Sequence, residues 1–295
     1  MKRTAVFSIV GVICSILIIT GCVPADKMES KRLQVYSSIY PLQYFSERIG
    51  GEEVDVHTIV PPGVEPHDFE LSAKDVIQLN EADMVLYNGR NLEPWLEKNI
   101  ESIDQNQVEV VNTSQDIKAL DDPHIWLNPL LAKKQAEVIK DAFVARDPTH
   151  QLTYEKNYEQ LGAELDQLDQ EYFDMVQRAT QKSFLVSHAA FTHLADRYGL
   201  EQISVSGLSP SDEPSPQALK KIIEEADKKK IGVIYLETLV SGKLAEVVQN
   251  ELKLTPSVLN PLEGLTETEM ANEDDYFTVM RRNKEHLMQG LGVKP

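Results

Sequence analysis

Three histidines, His67, His124 and His188, have the residue type and the setting for metal chemistry. His67 lies in Pro-Pro-Gly-Val-Glu-Pro-His-Asp-Phe-Glu at 61–70. His124 lies in Asp-Asp-Pro-His-Ile-Trp-Leu-Asn-Pro at 121–129, and His188 closes the apolar run Phe-Leu-Val-Ser-His at 184–188. Each sits where a strand gives way to a loop or helix. In parallel α/β sheets, ligands bind beyond the carboxyl ends of the strands. Any one of these histidines alone reads as a satisfied structural residue or a helix cap. Three at one rim point to a borderline-soft divalent cation, zinc first. Whether they converge is a question for the fold.

Three neutral imidazoles leave the charge of such a cation uncompensated, and a carboxylate would close a tetrahedron. Glu263, after the last strand in Leu-Asn-Pro-Leu-Glu-Gly at 259–264, is the choice for that place. Glu237, ending the stretch Val233–Glu237, is its rival, either as ligand or as hydrogen-bond partner of an imidazole. Asp122, Glu70 and Glu65 are further candidates for orienting a ligating ring. His57 in a strand, His150 at a helix start and His286 in the last helix read as non-ligands. So does His193, five residues and hence about 140° around a helix from His188. No catalytic residue is assigned.

The elements that must position these residues alternate. Short runs rich in Val, Ile and Tyr predict strands at 33–39, 54–60, 84–88 and 108–112. Helical patterns separate them at 41–50, 72–82 and 92–102, and a longer one opens at Pro129 and runs to 146. The second half repeats the rhythm, with strands at 183–188, 202–206, 232–237 and 257–260 and helices at 189–198, 215–230, 241–252 and 271–290. The fold class is therefore α/β: two lobes, each a small, mainly parallel sheet flanked by helices. Between them, 150–181 carries a helical stripe of Leu, Tyr, Phe and Val. It reads as one rigid rod joining the lobes, or as two helices broken near Gly162. The expected domains are an N-terminal lobe at 33–148, a linking helix at 149–182 and a C-terminal lobe at 183–295.

The chain opens with a targeting pattern. Lys2 and Arg3 precede an apolar run, Ala5 to Ile19, that is short for a spanning helix. The segment Ile19-Thr20-Gly21-Cys22 resembles the lipobox of bacterial lipoproteins. That resemblance implies a signal peptide at 1–21, a diacylated Cys22, a polar tether at 22–32, and attachment to the outer face of the cytoplasmic membrane. The two cysteines, Cys14 and Cys22, then leave the mature body without a thiol for a disulfide or a zinc site. Maturation leaves 274 residues with 27 basic against 47 acidic side chains, a net charge of −20. Such a surface repels nucleic acid.

Five segments together resemble one family, the zinc-binding receptors of bacterial ABC importers within the zinc and manganese solute-binding lipoproteins. They are Val60-Pro-Pro-Gly-Val-Glu-Pro-His67-Asp-Phe-Glu70, Asp122-Pro-His124-Ile-Trp-Leu-Asn-Pro129, Ser187 and His188 through Gly199, Gly207 through Pro216, and Leu259-Asn-Pro-Leu-Glu263. The resemblance runs from about 33 to 291. It implies two lobes joined by one long helix, with metal in the cleft between them. His67 and His124 would come from the first lobe, and His188 and Glu263 from the second. It also implies delivery of Zn2+ to a permease with a cytoplasmic ATPase. The manganese branch carries Glu where this chain has His188, and three imidazoles suit zinc better. The His-rich loop of many zinc members has no counterpart in Asn112–Asp122.

The expectation is thus a monomeric, lipid-anchored zinc receptor and not an enzyme. The alternatives are a manganese or iron receptor on the same fold, a zinc-dependent hydrolase, and an adhesin. The hydrolase reading lacks a His-Glu-x-x-His helix and a nucleophile elbow.

Overall fold

Among the described residues, every strand runs parallel to its neighbours, in two separate four-stranded sheets. The computed structural model describes residues 32–240 and 242–294. The leader, Cys22 and all of the tether before Arg32 lie outside them. No helix among the described residues is long and apolar enough to cross a membrane.

The first sheet holds β1 (Leu33–Ser37), β2 (Val54–Thr58), β3 (Met84–Tyr87) and β4 (Glu109–Asn112) in the order β2-β1-β3-β4. The second holds β5 (Ser183–Val186), β6 (Glu201–Ser204), β7 (Val233–Leu236) and β8 (Thr255–Val258) in the order β6-β5-β7-β8. The connection reverses direction beside β1 and beside β5, which opens a crevice at the carboxyl ends of each sheet. β8 starts two residues earlier than its composition suggests and includes Pro256. An edge strand tolerates a residue that cannot donate to the ladder.

The helices are α1 (Tyr40–Gly50), α2 (Ala73–Asn80), α3 (Pro94–Glu97), α4 (Pro129–Arg146), α5 (Gln151–Gln177), α6 (Thr192–Tyr198), α7 (Pro216–Lys228), α8 (Lys243–Leu252), α9 (Glu267–Ala271) and α10 (Tyr276–Gly290). Local chemistry sets most starts. Ser72 and Asp75 form a capping box for α2, and Asn128 caps α4 ahead of Pro129. Two predicted helices come out differently. The stretch 92–102 is only α3 and a separate 3-10 turn, because the Asn99 side chain donates to Trp95 O (2.7 Å) and competes with the ladder. The stretch 271–290 splits, because Glu273 adopts a left-handed conformation (φ 57°) and Asp275 caps a new helix.

α5 is one continuous helix of 27 residues, about 40 Å long. It does not break at Gly162. That glycine is buried against α4, where an added Cβ would sit 3.1 Å from Lys133 Cε. Its role is close approach of two helices. Leu161, Leu165, Leu168 and Tyr172 of α5 join one core that takes in Phe45 and Trp126 on one side and Phe184 and Tyr235 on the other. Smaller clusters underlie the outer helices of each sheet, around Trp95 and Leu96 and around Ile234 and Val248. The two halves therefore share their central apolar layer.

Candidate metal centre

Each of the three histidines is held by a carboxylate close to it in sequence or space. In the loop after β2, Glu65 accepts the backbone N–H of His67 and of Asp68 (3.1 Å each), and Trp95 Nε1 donates to Pro66 O (2.8 Å). Asp122 Oδ1 accepts both the backbone N–H and the Nδ1–H of His124 (2.8 Å each). This fixes the tautomer and turns the Nε2 lone pair inward. His188 leaves β5 with Glu237 Oε1 2.6 Å behind its Nδ1. That contact is an ion pair whose angles fall outside a hydrogen bond, and the Ser187 hydroxyl donates to the same oxygen.

Glu263 is aimed by backbone strain. Leu262, wholly buried, has φ 59°, a conformation a branched apolar residue rarely takes. Asn260 Oδ1 accepts the Leu262 N–H (2.7 Å), Asn283 accepts and donates to the Asn260 backbone (2.9 and 2.7 Å), and Asn260 Nδ2 donates to Glu269 (2.8 Å). Although Glu263 follows β8 of the second sheet, its carbonyl accepts from Tyr40 N–H of the first half (3.4 Å).

These elements bring four donor atoms together. His124 Nε2 lies 3.2 Å from His67 Nε2, 3.3 Å from His188 Nε2 and 3.0 Å from Glu263 Oε1. Glu263 Oε1 lies 3.4 Å from His67 Nε2 and 3.5 Å from His188 Nε2. The five distances average about 3.3 Å, and a regular tetrahedron with that edge has its corners about 2.0 Å from its centre, the length of a zinc–nitrogen or zinc–oxygen bond. The side chains are buried, His67 at 6 % exposure being the most accessible.

The electrostatics suit a cation. Burial alone would raise the Glu263 pKa, but the three imidazoles hold it well below the usual carboxylate range. Burial would lower the His188 pKa, yet Glu237 and Glu263 outweigh it and push it up to about 10. Burial likewise opposes, and Asp122 and Glu263 overcome, a raised pKa at His124. In the metal-free state the His188 ring keeps a proton above neutral pH, and an incoming ion must displace it.

The other candidates separate cleanly. Glu237 and Asp122 stand behind imidazoles and Glu65 behind the His67 backbone, whereas Glu70 is exposed and takes no part. His57, His150 and His286 lie elsewhere. His193 is a residue whose importance the sequence hid. It is buried and its Nε2 donates to Asp122 O (2.9 Å), tying α6 to the His124 loop. Its only signal was its position five residues after His188. Trp126 and Asn260 had no signal beyond their neighbours.

Residues 35–290 match the family described as ZnuA, zinc-uptake complex component A periplasmic. The chain belongs to that family. It is 34 % identical over 284 residues to the zinc-binding lipoprotein AdcA of Streptococcus pneumoniae R6, across 90 % of this chain and 57 % of that protein. It thus spans a little over half the length of such relatives. It is 34 % identical over 283 residues to the high-affinity zinc uptake system protein ZnuA of Bacillus subtilis 168, across 89 % of each chain. The crystal structure of the Zn(II)-bound ZnuA-like domain of S. pneumoniae AdcA superposes with a TM-score of 0.78 at 37 % identity, covering 88 % of this chain and 99 % of that one. The laminin-binding protein Lmb of Streptococcus agalactiae, described as having adhesin and metal-transporting activity, gives 0.79 at 31 % identity over the same shares.

Proposed function

We propose that this protein is the extracytoplasmic receptor that captures Zn2+ and delivers it to an ABC permease driven by a cytoplasmic ATPase. His67, His124, His188 and Glu263 are the ligands. The observation that carries this reading is the convergence of three imidazole nitrogens and one carboxylate oxygen, all within 4.8 Å of one another and five of their separations between 3.0 and 3.5 Å, as a tetrahedral zinc shell requires. Three nitrogens favour zinc over manganese, which takes more and harder oxygen donors. Four protein donors fill a tetrahedral shell and leave no position for a metal-bound nucleophile, so the arrangement supports carriage and not hydrolysis. The names of relatives on both sides of the comparison, zinc-binding lipoproteins and a zinc uptake protein, support the same reading.

The finer parts follow from it. Cys22 carries the lipid that holds the receptor at the membrane, and the body acts as a monomer. Residues 33–148 and 183–295 serve as lobes on a linking helix at 149–182. Calorimetry on the full chain tests the reading. It expects one zinc bound per chain, with Asp122→Asn weakening it about 10–100-fold through loss of the charge behind His124. Absence of zinc binding at neutral pH would overturn it.

A further inference from the structure

The fourth donor is fastened to the half of the molecule opposite to the one its place in the chain suggests. The last sheet-like bond before it is Leu259 N–H to Leu236 O (3.0 Å). Beyond that, Trp126 Nε1 donates to Pro261 O (2.8 Å), Tyr40 N–H to Glu263 O (3.4 Å) and Gly63 N–H to Leu265 O (3.0 Å). The start of the following helix keeps the same company, while its C-terminal half bonds β7 and β8 through Tyr235 and Val258. The Tyr276 hydroxyl donates to Trp126 O (2.6 Å), and its ring centre is 5.0 Å from that of Phe45 and 6.0 Å from that of Tyr44 on α1. The chain therefore turns toward the first half from Pro261 onward, after Asn260, whose backbone is held by Asn283 of α10 (2.9 and 2.7 Å).

His188 is rooted in the second sheet. Ser187 N–H donates to Tyr235 O (3.0 Å), Ala189 N–H to Gly207 O (2.8 Å), and Glu237 stands behind the ring. Beside the donor cluster, α6 reaches the first half through His193, which donates to Asp122 O (2.9 Å) and accepts at its own carbonyl from Asn128 Nδ2 (3.4 Å). Three of four donors thus lie on segments bonded to the first half; the fourth meets them beside the site through this small hydrogen-bonded contact, and away from it through the shared core and the C-terminal half of α10, which bonds Tyr235 (3.1 Å at His286 O and Gly290 N).

We propose that His67, His124 and Glu263 form a three-donor half-site that captures the ion first, and that His188 is the closing ligand, brought and withdrawn by the second sheet. The inference rests on the zinc-receptor reading above. The half-site offers two imidazoles and one carboxylate, a net charge of −1 against a divalent ion. Water completes the shell until His188 replaces it. Association is then set by the half-site, and dissociation by the release of His188 together with the His193 contact.

The test uses the full chain, zinc ions, an equilibrium competition with a chromophoric chelator, and rapid mixing followed by tryptophan fluorescence. Trp126, whose ring centre is 5.3 Å from that of His124, is the reporter. His188→Ala is expected to bind one zinc with Kd raised about 10²–10³-fold. Nearly all of that loss falls in dissociation, with association within about threefold of wild type. Glu263→Gln, which keeps the shape and removes the charge, is expected to slow association tenfold or more. Hydrogen exchange supplies a readout independent of these variants. Removing zinc from the wild type should loosen 187–190 and leave the amides of Tyr40 and Gly63 as protected as before. The proposal is overturned if His188→Ala slows association tenfold or more. It is also overturned if Tyr40 and Gly63 loosen along with 187–190, or if neither segment responds. A wild-type chain that takes up no zinc overturns the receptor reading itself, and that arm separates the two failures.

Discussion

Zinc uptake should expel close to a whole proton from His188 even in mildly alkaline buffer. Glu237 and Glu263 push its pKa in the metal-free protein up to about 10. At pH 8 such a ring is about 99 % protonated, whereas three ordinary imidazoles of pKa about 6.5 together carry only about 0.1 proton. His124, also raised, adds to the count. The sign follows directly: proton and zinc compete for the same lone pair, so affinity rises with pH and keeps rising until the metal-free pKa is passed. Each pH unit between 7 and 9 should tighten zinc binding about tenfold, or about 1.4 kcal/mol, with a smaller gain as pH nears 10. Ordinary imidazoles would confine this competition to the range around or below pH 6.5; the two carboxylates move it up. Titration calorimetry at pH 8 in two buffers of different ionisation enthalpy measures the proton count as the slope of heat against that enthalpy. A slope near 1 or above is expected. A slope near 0.1 would refute the reasoning and mean that the carboxylates do not hold a proton on His188.

Five further outcomes are expected. Glu237→Gln should lower that proton count and, by weakening the hold on a ligating ring, raise the zinc Kd about 10–100-fold in the chelator competition. His188→Ala should cost about 2.5–4 kcal/mol of zinc binding, a quarter of the roughly 10–16 kcal/mol typical of four-ligand sites, read in the same competition. Gly50→Ala should destabilise the fold by about 1–3 kcal/mol in denaturant melts, because its Cβ would fall 2.1 Å from Val54 Cγ2. Gly162→Ala meets only the flexible end of Lys133 and should be neutral or stabilising by up to about 1 kcal/mol, which the same melts compare directly. Divalent copper should displace zinc from the purified protein in calorimetric competition.

The eight strands and the rim of histidines were legible because short β-branched runs punctuated by Pro, Gly and Asn say where strands stop. α4 was legible from Pro129 alone. The four side chains that cluster could be named, but the contacts that group them could not. Glu263 is fixed by Tyr40, Trp126 and Asn283, contacts that no local spacing encodes. The His193 bond to Asp122 spans 71 residues and leaves only an unremarkable helical histidine in the sequence. The breaks near Asn99 and Glu273 depend on side-chain bonds and left-handed backbone that compete with an otherwise helical pattern. Gly162 misled in the opposite sense, since a glycine inside a helix signals either a break or a tight neighbour, and only packing tells which.

The aromatic pair Tyr276–Phe277, lodged against Tyr44 and Phe45, bears on how the polypeptide matures. The amino-terminal sheet cannot seal its interior until residues some 230 positions later have been delivered. Emerging from a ribosome or a translocation pore, the leading portion must wait, open to proteases and holdases, for its own closing wedge. Folding of this molecule is then a single late event, and a truncation that spares every donor but stops short of α10 would be cleared by quality control instead of accumulating as a smaller, working carrier.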